Sequence, residues 1–354
     1  MKKVGIITAF DNQNFGNRLQ NLAVQQILTE RGFSVDTIVC DDGSRFRKHF
    51  VHMAVTYYRK YIKKKPRAIR TIVFYRFNRK YIHARHFYCS NYQLPPTVKK
   101  EYDYFSAGSD QIWNYTYQNN HVLRFHFLSF ADDSQKVCIS PSMGVSMVDE
   151  KHLELFREGL KGFRYLSCRE KQGADEIARV TGRECEWLID PTLAIPAEKW
   201  KSMLKSRVRV DKPYIFVFFL AWITDELKQF IRDYAGDRYM IVDPSDPAGP
   251  YFRIDPADFV SLLSGAHMVF TDSFHATAFS ISFHVPFYVF NRNKSTMMTS
   301  RIESLCRLFH VEDRYHRKQE ALAVDETCSF EEADRQLAVE RRRFSEYLDK
   351  CLQA

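Results

Sequence analysis

The chain has 354 residues, 45% apolar and 27% charged, with 52 Lys and Arg against 43 Asp and Glu for a formal net charge of +9. That length suits two domains of ordinary size, and the balance excludes a disordered or collagen-like chain. The charge is uneven: residues 43–100 hold 16 Lys or Arg and no Asp or Glu, and the remainder carries 36 basic against 43 acidic residues. An acidic body with one basic insert is not the even positive field of a nucleic-acid binder.

From the N-terminus, residues 4–8 form a short apolar run that suits a buried parallel strand. A polar loop, 11–17, follows, then apolar residues at helical spacing from Leu19 to Leu28, closed by Gly32. Residues 34–39 read as a second strand, which completes a βαβ unit. The basic stretch reads as two helices broken near Pro66. Further strands are expected at 104–107, 136–139, 164–168 and 187–189, with a helix over 149–160. A second α/β series opens after Pro213: strands at 214–220, 239–242, 267–270 and 286–290, and helices over 224–234, 255–264 (capped by Asp255) and 273–283. Residues 330–352, with many i,i+4 charge pairs, read as a terminal helix.

These signals predict an α/β chain of two Rossmann-type domains facing a central cleft. The expected division is 1–195 with the basic helical insert at about 43–100, then 196–330, then the terminal helix 331–354. The eight cysteines (Cys40, Cys89, Cys138, Cys168, Cys185, Cys306, Cys328 and Cys351) are scattered with no CxxC pair, and are read as reduced thiols of a cytoplasmic protein. The apolar run after Lys3 is too short for a signal peptide, and no window is long enough to span a membrane.

Three strand-to-helix turns carry polar groups. The first holds Asn14, Asn17 and Gln20, short side chains that suit sugar hydroxyls or phosphate, with Gly16 allowing close backbone approach. The second, 107–114, sets Asp110, Gln111 and Asn114 beside Trp113. The third, 269–276, leads from a strand into a helix, where Ser273 can cap or touch an anion and His275 can act as general acid or base. A satisfied polar turn is the competing reading of each.

Taken together, Asn14-Phe15-Gly16-Asn17-Arg18-Leu19-Gln20-Asn21-Leu22-Ala23, Gly108-Ser109-Asp110-Gln111-Ile112-Trp113-Asn114, Cys168-Arg169-Glu170, Asp190-Pro191-Thr192-Leu193 and Thr271-Asp272-Ser273-Phe274-His275-Ala276 resemble the polysaccharide pyruvyl transferase family. The resemblance implies a GT-B-like fold and transfer of a pyruvyl group from phosphoenolpyruvate, a co-substrate rather than a cofactor, onto a sugar as a cyclic ketal. The family's Arg-Leu-His-Ala motif is Ser273-Phe274-His275-Ala276 here, so a bidentate clamp for phosphate or carboxylate is missing. Arg292, Lys294 and Arg301, with Arg169 from the first domain, are the cations expected to compensate. On this reading His275 carries the proton, Ser273 and those cations hold the donor, and Asn14, Asn17, Gln20, Asp110, Gln111 and Asn114 face the acceptor. No metal is expected.

The basic aromatic stretch 45–85 suits an anionic membrane surface, which fits an acceptor glycan carried on polyprenyl diphosphate and a peripheral place on the inner face of the membrane. Helices packed on the first domain with a solvated basic face are the competing reading; nucleic acid is not expected. The alternative functions are a nucleotide-sugar glycosyltransferase of the same fold and a non-catalytic glycan-assembly protein.

Overall fold

The computed structural model describes residues 1–41, 54–59, 63, 65–292 and 299–352. The chain divides into two compact units. The first comprises Met1–Lys64, Tyr75–Ala194 and Glu340–Ala354, and the second Lys65–Phe74 and Ile195–Val339.

In the first unit five strands form one sheet: β1 (Lys3–Ile7), β2 (Ser34–Asp41), β3 (Ala84–Tyr88), β4 (Tyr104–Ala107) and β5 (Lys136–Cys138). Their order is β3-β2-β1-β4-β5, and every pairing is parallel. Parallel strands need crossovers, and helices Phe15–Glu30 and Asn120–His126 lie in such connections, β1 to β2 and β4 to β5. β1 runs between β2 and β4, and Gly5 is there for space: a Cβ would come within 2.6 Å of Ile38 and 2.9 Å of Phe105. A separate parallel pair, β6 (Ser167–Cys168) and β7 (Glu186–Trp187), is shorter than the strands expected at 164–168 and 187–189. The core on one side of the sheet gathers Phe105, Trp113, Phe127, Phe156 and Leu160, all fully buried.

The basic stretch is helical on both sides of Pro66 as expected, over residues 54–59 and again from that proline, but it also leads into a strand that was not expected. Helix Pro66–Tyr81 starts on its proline, which is favourable at a first helical position. It lies in the β2-to-β3 crossover, and β3 is an edge strand that the charge pattern hid. Residues 66–88 are therefore part of the sheet's own connectivity and not an insert. Residues 42–53, 60–62 and 64 of this stretch lie outside the described residues.

Adjacency of β2 and β3 also corrects the thiol expectation for two cysteines. Cys40 pairs in register with Phe87, so Cys89, just beyond β3, reaches it; the two form a disulfide with Cα atoms 5.5 Å apart. The other six are free.

The second unit repeats the architecture with β8 (Tyr214–Phe218), β9 (Met240–Val242), β10 (Met268–Thr271), β11 (Phe287–Phe290) and β12 (Tyr315–His316), ordered β12-β11-β10-β8-β9 and parallel throughout. Its helices carry the expected starts. Thr224 caps Asp225–Ala235, and Asp255 and Asp258 make a capping box on Pro256–Ser264. The terminal helix Glu331–Leu352 is not a segment on its own: its residues to Val339 group with the second unit and those from Glu340 with the first. Among the described residues no helix is long and apolar enough to cross a membrane.

Candidate active site

In the second unit the turn after β10 is built by its own side chains. Ser273 is the N-cap of helix Phe274–Phe283, accepting from the Ala276 N–H. The Thr271 hydroxyl donates to the Phe218 carbonyl at 2.6 Å and accepts from the Ser273 N–H at 3.0 Å. Asp272 is fully buried and accepts from the N–H groups of Leu220 at 2.7 Å and Ala221 at 3.0 Å. Arg292, just past β11, lies 3.4 Å from the same carboxylate. One carboxylate thus ties together the C-terminal ends of β8, β10 and β11, the edge where open parallel sheets collect ligands. Burial pushes the Asp272 carboxyl above its ordinary range, opposed by Arg292 and the two N–H groups.

His275 sits half-buried in the first turn of that helix, edge-on to Phe274. Ser273, His275 and Arg292 are therefore gathered at one turn, with Arg292 already shared with Asp272. Arg301 is buried on helix Thr299–Leu308, and Lys294 lies outside the described residues. The sequence reading missed Trp222, which is 62% exposed one residue after Ala221. An exposed ring beside this turn is a stacking face for a sugar.

In the first unit the family strings converge on a buried polar network. Asn17 donates to Asp110 at 2.5 Å and to the Ala9 carbonyl at 3.0 Å. Arg169 donates to Asp190 at 2.8 Å and faces Glu170 at 3.5 Å and Asp110 at 3.8 Å. Ser109 donates to Asp190 at 3.1 Å, and Ser142 donates to Glu170. Burial works against the Arg169 charge, but Asp190, Glu170 and Asp110 outweigh it and hold its pKa above the ordinary value. The Arg169 side chain is 1% exposed, so this cation binds loops together and is not presented to a donor. That corrects its expected role.

The other first-unit candidates divide by burial. Gln20 is fully buried, its amide donating to Thr8 and to the Asn17 carbonyl. Asn114 is buried, donating to Gln111 at 2.9 Å and accepting from Thr116. Gly144, at φ +64, packs so closely on this pair that a Cβ would come within 2.4 Å of Gln111 and 2.6 Å of Asn114. Asn17 is likewise buried, whereas Asn14 is exposed and caps helix Phe15–Glu30. Exposure therefore leaves Asn14, Asp110 and Gln111 as the groups of this set that reach solvent. Arg18, quoted in the motif but given no role, is fully buried, 4.0 Å over the Phe10 ring, and donates to Asn17 and Ala9. Burial lowers its pKa to about 9, opposed by Asp11 and Asp110. Among the described residues no three His, Cys, Asp or Glu are grouped to hold a metal ion.

The family model for polysaccharide pyruvyl transferase matches residues 14–294, a span that includes every string named above. The chain belongs to the polysaccharide pyruvyl transferase family. Among solved structures, a UDP-GlcNAc 2-epimerase from Neisseria meningitidis bound to UDP-GlcNAc aligns with a TM-score of 0.51 at 11% identity, covering 99% of this chain and all of that one. A putative UDP-N-acetylglucosamine 2-epimerase from Listeria monocytogenes aligns at 0.47 with 12% identity, over 100% and 91% of the two chains. The E. coli heptosyltransferase WaaC with an ADP-heptose analogue aligns at 0.37 with 11% identity, over 98% and 99%. Among curated proteins no sequence matches this chain. At these identities the likeness is one of fold: this pyruvyl transferase family member has a GT-B-like α/β architecture with two parallel sheets.

Proposed function

We propose that this protein moves the pyruvyl group of phosphoenolpyruvate onto a saccharide of a cell-surface glycan precursor, closing a cyclic ketal and releasing phosphate. The observation that carries the reading is the family match over 14–294, within which Ser273 and His275 fall. His275 protonates the methylene carbon of the enol phosphate, making the adjacent carbon an oxocarbenium-like electrophile. A sugar hydroxyl adds there and returns its proton to the imidazole. A second hydroxyl then displaces phosphate, its proton leaving with the phosphate, and the ring closes. Anionic charge on the donor is met by Arg292 and the N-terminal turn of helix Phe274–Phe283, with the Ser273 hydroxyl as a further polar contact. Sharing between Asp272 and the donor explains how one Arg can do part of the work of the missing motif Arg: the incoming anion competes for a cation already held in place. Asn14, Asp110 and Gln111 are the acceptor-facing candidates. The scheme uses no resident cofactor or metal.

The test is incubation with phosphoenolpyruvate and candidate lipid-linked saccharides, following phosphate release and the pyruvyl mass increment. Both are expected in wild type, and His275→Ala is expected to lose turnover while keeping the wild-type circular dichroism and melting profile. Near-normal turnover in His275→Ala would remove the assigned acid–base role. Nucleotide-sugar turnover with no phosphate released from phosphoenolpyruvate would replace the reading with glycosyl transfer.

A further inference from the structure

The first unit contains a cavity of about 810 Å³ that none of the candidates above lines. It lies just past the end of β1 and against the strands β2 and β3, walled by the last turns of helix Pro66–Tyr81 and by helix Asn120–His126. Its size is in the range of pockets that take a ligand of a few sugar rings.

Two buried polar groups in its wall call for a ligand that donates hydrogen bonds. Asn78 is 5% exposed; its amide donates to Asn12 at 2.7 Å, and its Oδ1 has no hydrogen-bond partner. His126 is 6% exposed, with Nδ1 at 3.1 Å from the Ile112 carbonyl and 2.7 Å from Gln118 Oε1. Gln118 is oriented by its own amide, which donates to the Gln111 carbonyl at 2.9 Å. Both neighbours of Nδ1 are therefore acceptors, so that nitrogen carries the proton and Nε2 is the accepting atom of the ring. An apolar ligand would leave the buried Asn78 acceptor unsatisfied and would cover His126 Nε2 without giving it a donor.

The rest of the wall selects for charge and shape. Arg79, His83 and His86 line it and are exposed, while among the described residues no Asp or Glu does. That distribution repels a cation and favours an anion. Aromatic faces from Phe10, Tyr75 and Tyr92 are present as well, and such faces stack on the C–H face of a sugar ring.

We propose that this cavity binds a phosphorylated saccharide, its hydroxyls donating to Asn78 Oδ1 and His126 Nε2 and its phosphate meeting Arg79 at the open edge. The choice of a saccharide rests on the proposed function and deepens it by naming a phosphate-bearing acceptor class. Two sources share this chemistry: a soluble sugar phosphate and a sugar carried on a prenyl diphosphate.

Titration calorimetry without phosphoenolpyruvate tests the cavity independently of turnover. The probes are N-acetylglucosamine, its 1-phosphate, and the same sugar on a short-chain prenyl diphosphate. The 1-phosphate is expected to bind at least on the order of tenfold tighter than the free sugar, and Arg79→Ala to remove most of that difference. Asn78→Leu is expected to weaken both sugar probes without erasing the preference for phosphate. Arg79 is exposed, so its replacement does not threaten folding, and it keeps the test decisive if Asn78→Leu is unstable. Tighter binding of the prenyl diphosphate than of the 1-phosphate assigns the lipid-linked source, and equal binding the soluble one. Failure of both phosphorylated probes to bind, or binding indifferent to Arg79→Ala, overturns the proposal. Absence of phosphate release from phosphoenolpyruvate, with this binding intact, would instead overturn the proposed reaction and leave the cavity assignment standing.

Discussion

Removing Asp190 tests whether Arg169 is a structural cation or a donor ligand. The Arg169 and Asp190 side chains are 1% and 0% exposed and 2.8 Å apart, so solvent does not screen them. Deleting one partner of a buried pair costs about 3–5 kcal/mol, because the other charge stays buried without its counter-ion. Glu170 at 3.5 Å and Asp110 at 3.8 Å still neutralise the guanidinium, which places Asp190→Ala at the low end, about 3 kcal/mol. Thr192, whose N–H and hydroxyl donate to Asp190 at 2.9 and 2.7 Å, loses its acceptor in the same variant.

Arg169→Met should be worse, since it leaves Asp110, Glu170 and Asp190 facing each other with no cation, and about 5 kcal/mol is expected. For a unit of roughly 200 residues each kcal/mol is about 2–4 °C of melting temperature, so Asp190→Ala should lower the first unit's transition by about 6–12 °C. Differential scanning calorimetry, resolving the two units' transitions, measures both variants. The reasoning fails if Asp190→Ala costs less than about 1 kcal/mol, or if Arg169→Met is the milder change. A stable Arg169→Met with only a raised KM for phosphoenolpyruvate would restore Arg169 to the donor site.

Two further outcomes follow from burial and charge. Burial lowers the His126 pKa to about 4, against the Ile112 carbonyl and Asp110, which favour the proton. The unfolded chain therefore takes up the proton first as pH falls, so the stability His126 contributes is present above its unfolded pKa, about 6.5, and is lost as pH drops toward 4. His126→Gln should flatten this part of the stability curve in urea titrations between pH 4 and 7, and an unchanged slope would count against a buried neutral ring. The membrane expectation is tested with vesicles: Arg76, Arg79 and Lys80 are exposed whereas Ile72, Phe74 and Phe77 are buried. Binding to anionic vesicles through helix Pro66–Tyr81 should be electrostatic and vanish at high salt, and salt-resistant binding that survives Val55→Ser, Tyr57→Ser and Tyr58→Ser, the exposed apolar and aromatic residues just before it, would count against this assignment.

The elements legible in the sequence were those whose burial and caps are local. β8 is a run of five buried residues, Tyr214 to Phe218, and the Pro256–Ser264 helix announces its start through Asp255 and Pro256. The turn holding Ser273 and His275 was legible for the same reason: a buried strand, a capping hydroxyl and a helix are contiguous in the chain. What was not legible depended on distance. Arg169 looks like a free cation in Cys168-Arg169-Glu170 until Asp110 and Asp190, far apart in sequence, close on it. Likewise Asn17 and Gln20 read as ligand groups because nothing local shows that Asp110 and Thr8 take their hydrogen bonds. β3 was hidden because an edge strand, Ala-Arg-His-Phe-Tyr, is half-exposed and lacks the apolar run of its neighbours.

That misread strand changes what the positive charge is for. As an insert, the stretch had an apolar face to spare, and a membrane was its natural partner. As the crossover between β2 and β3, its helix is anchored by buried Ile72, Phe74 and Phe77, and its last turns put Asn78 and Arg79 on the wall of a cavity. Charge fixed on a buried scaffold recognises at a defined distance, whereas charge on a loose helix attracts without choosing. The net +9 is then the sum of an acidic two-unit body and a basic crossover. The proposed phosphorylated saccharide gives both groups a partner, a phosphate for Arg79 and a hydroxyl for the buried, unpartnered Asn78 acceptor, whereas a lipid surface offers one only to the charge.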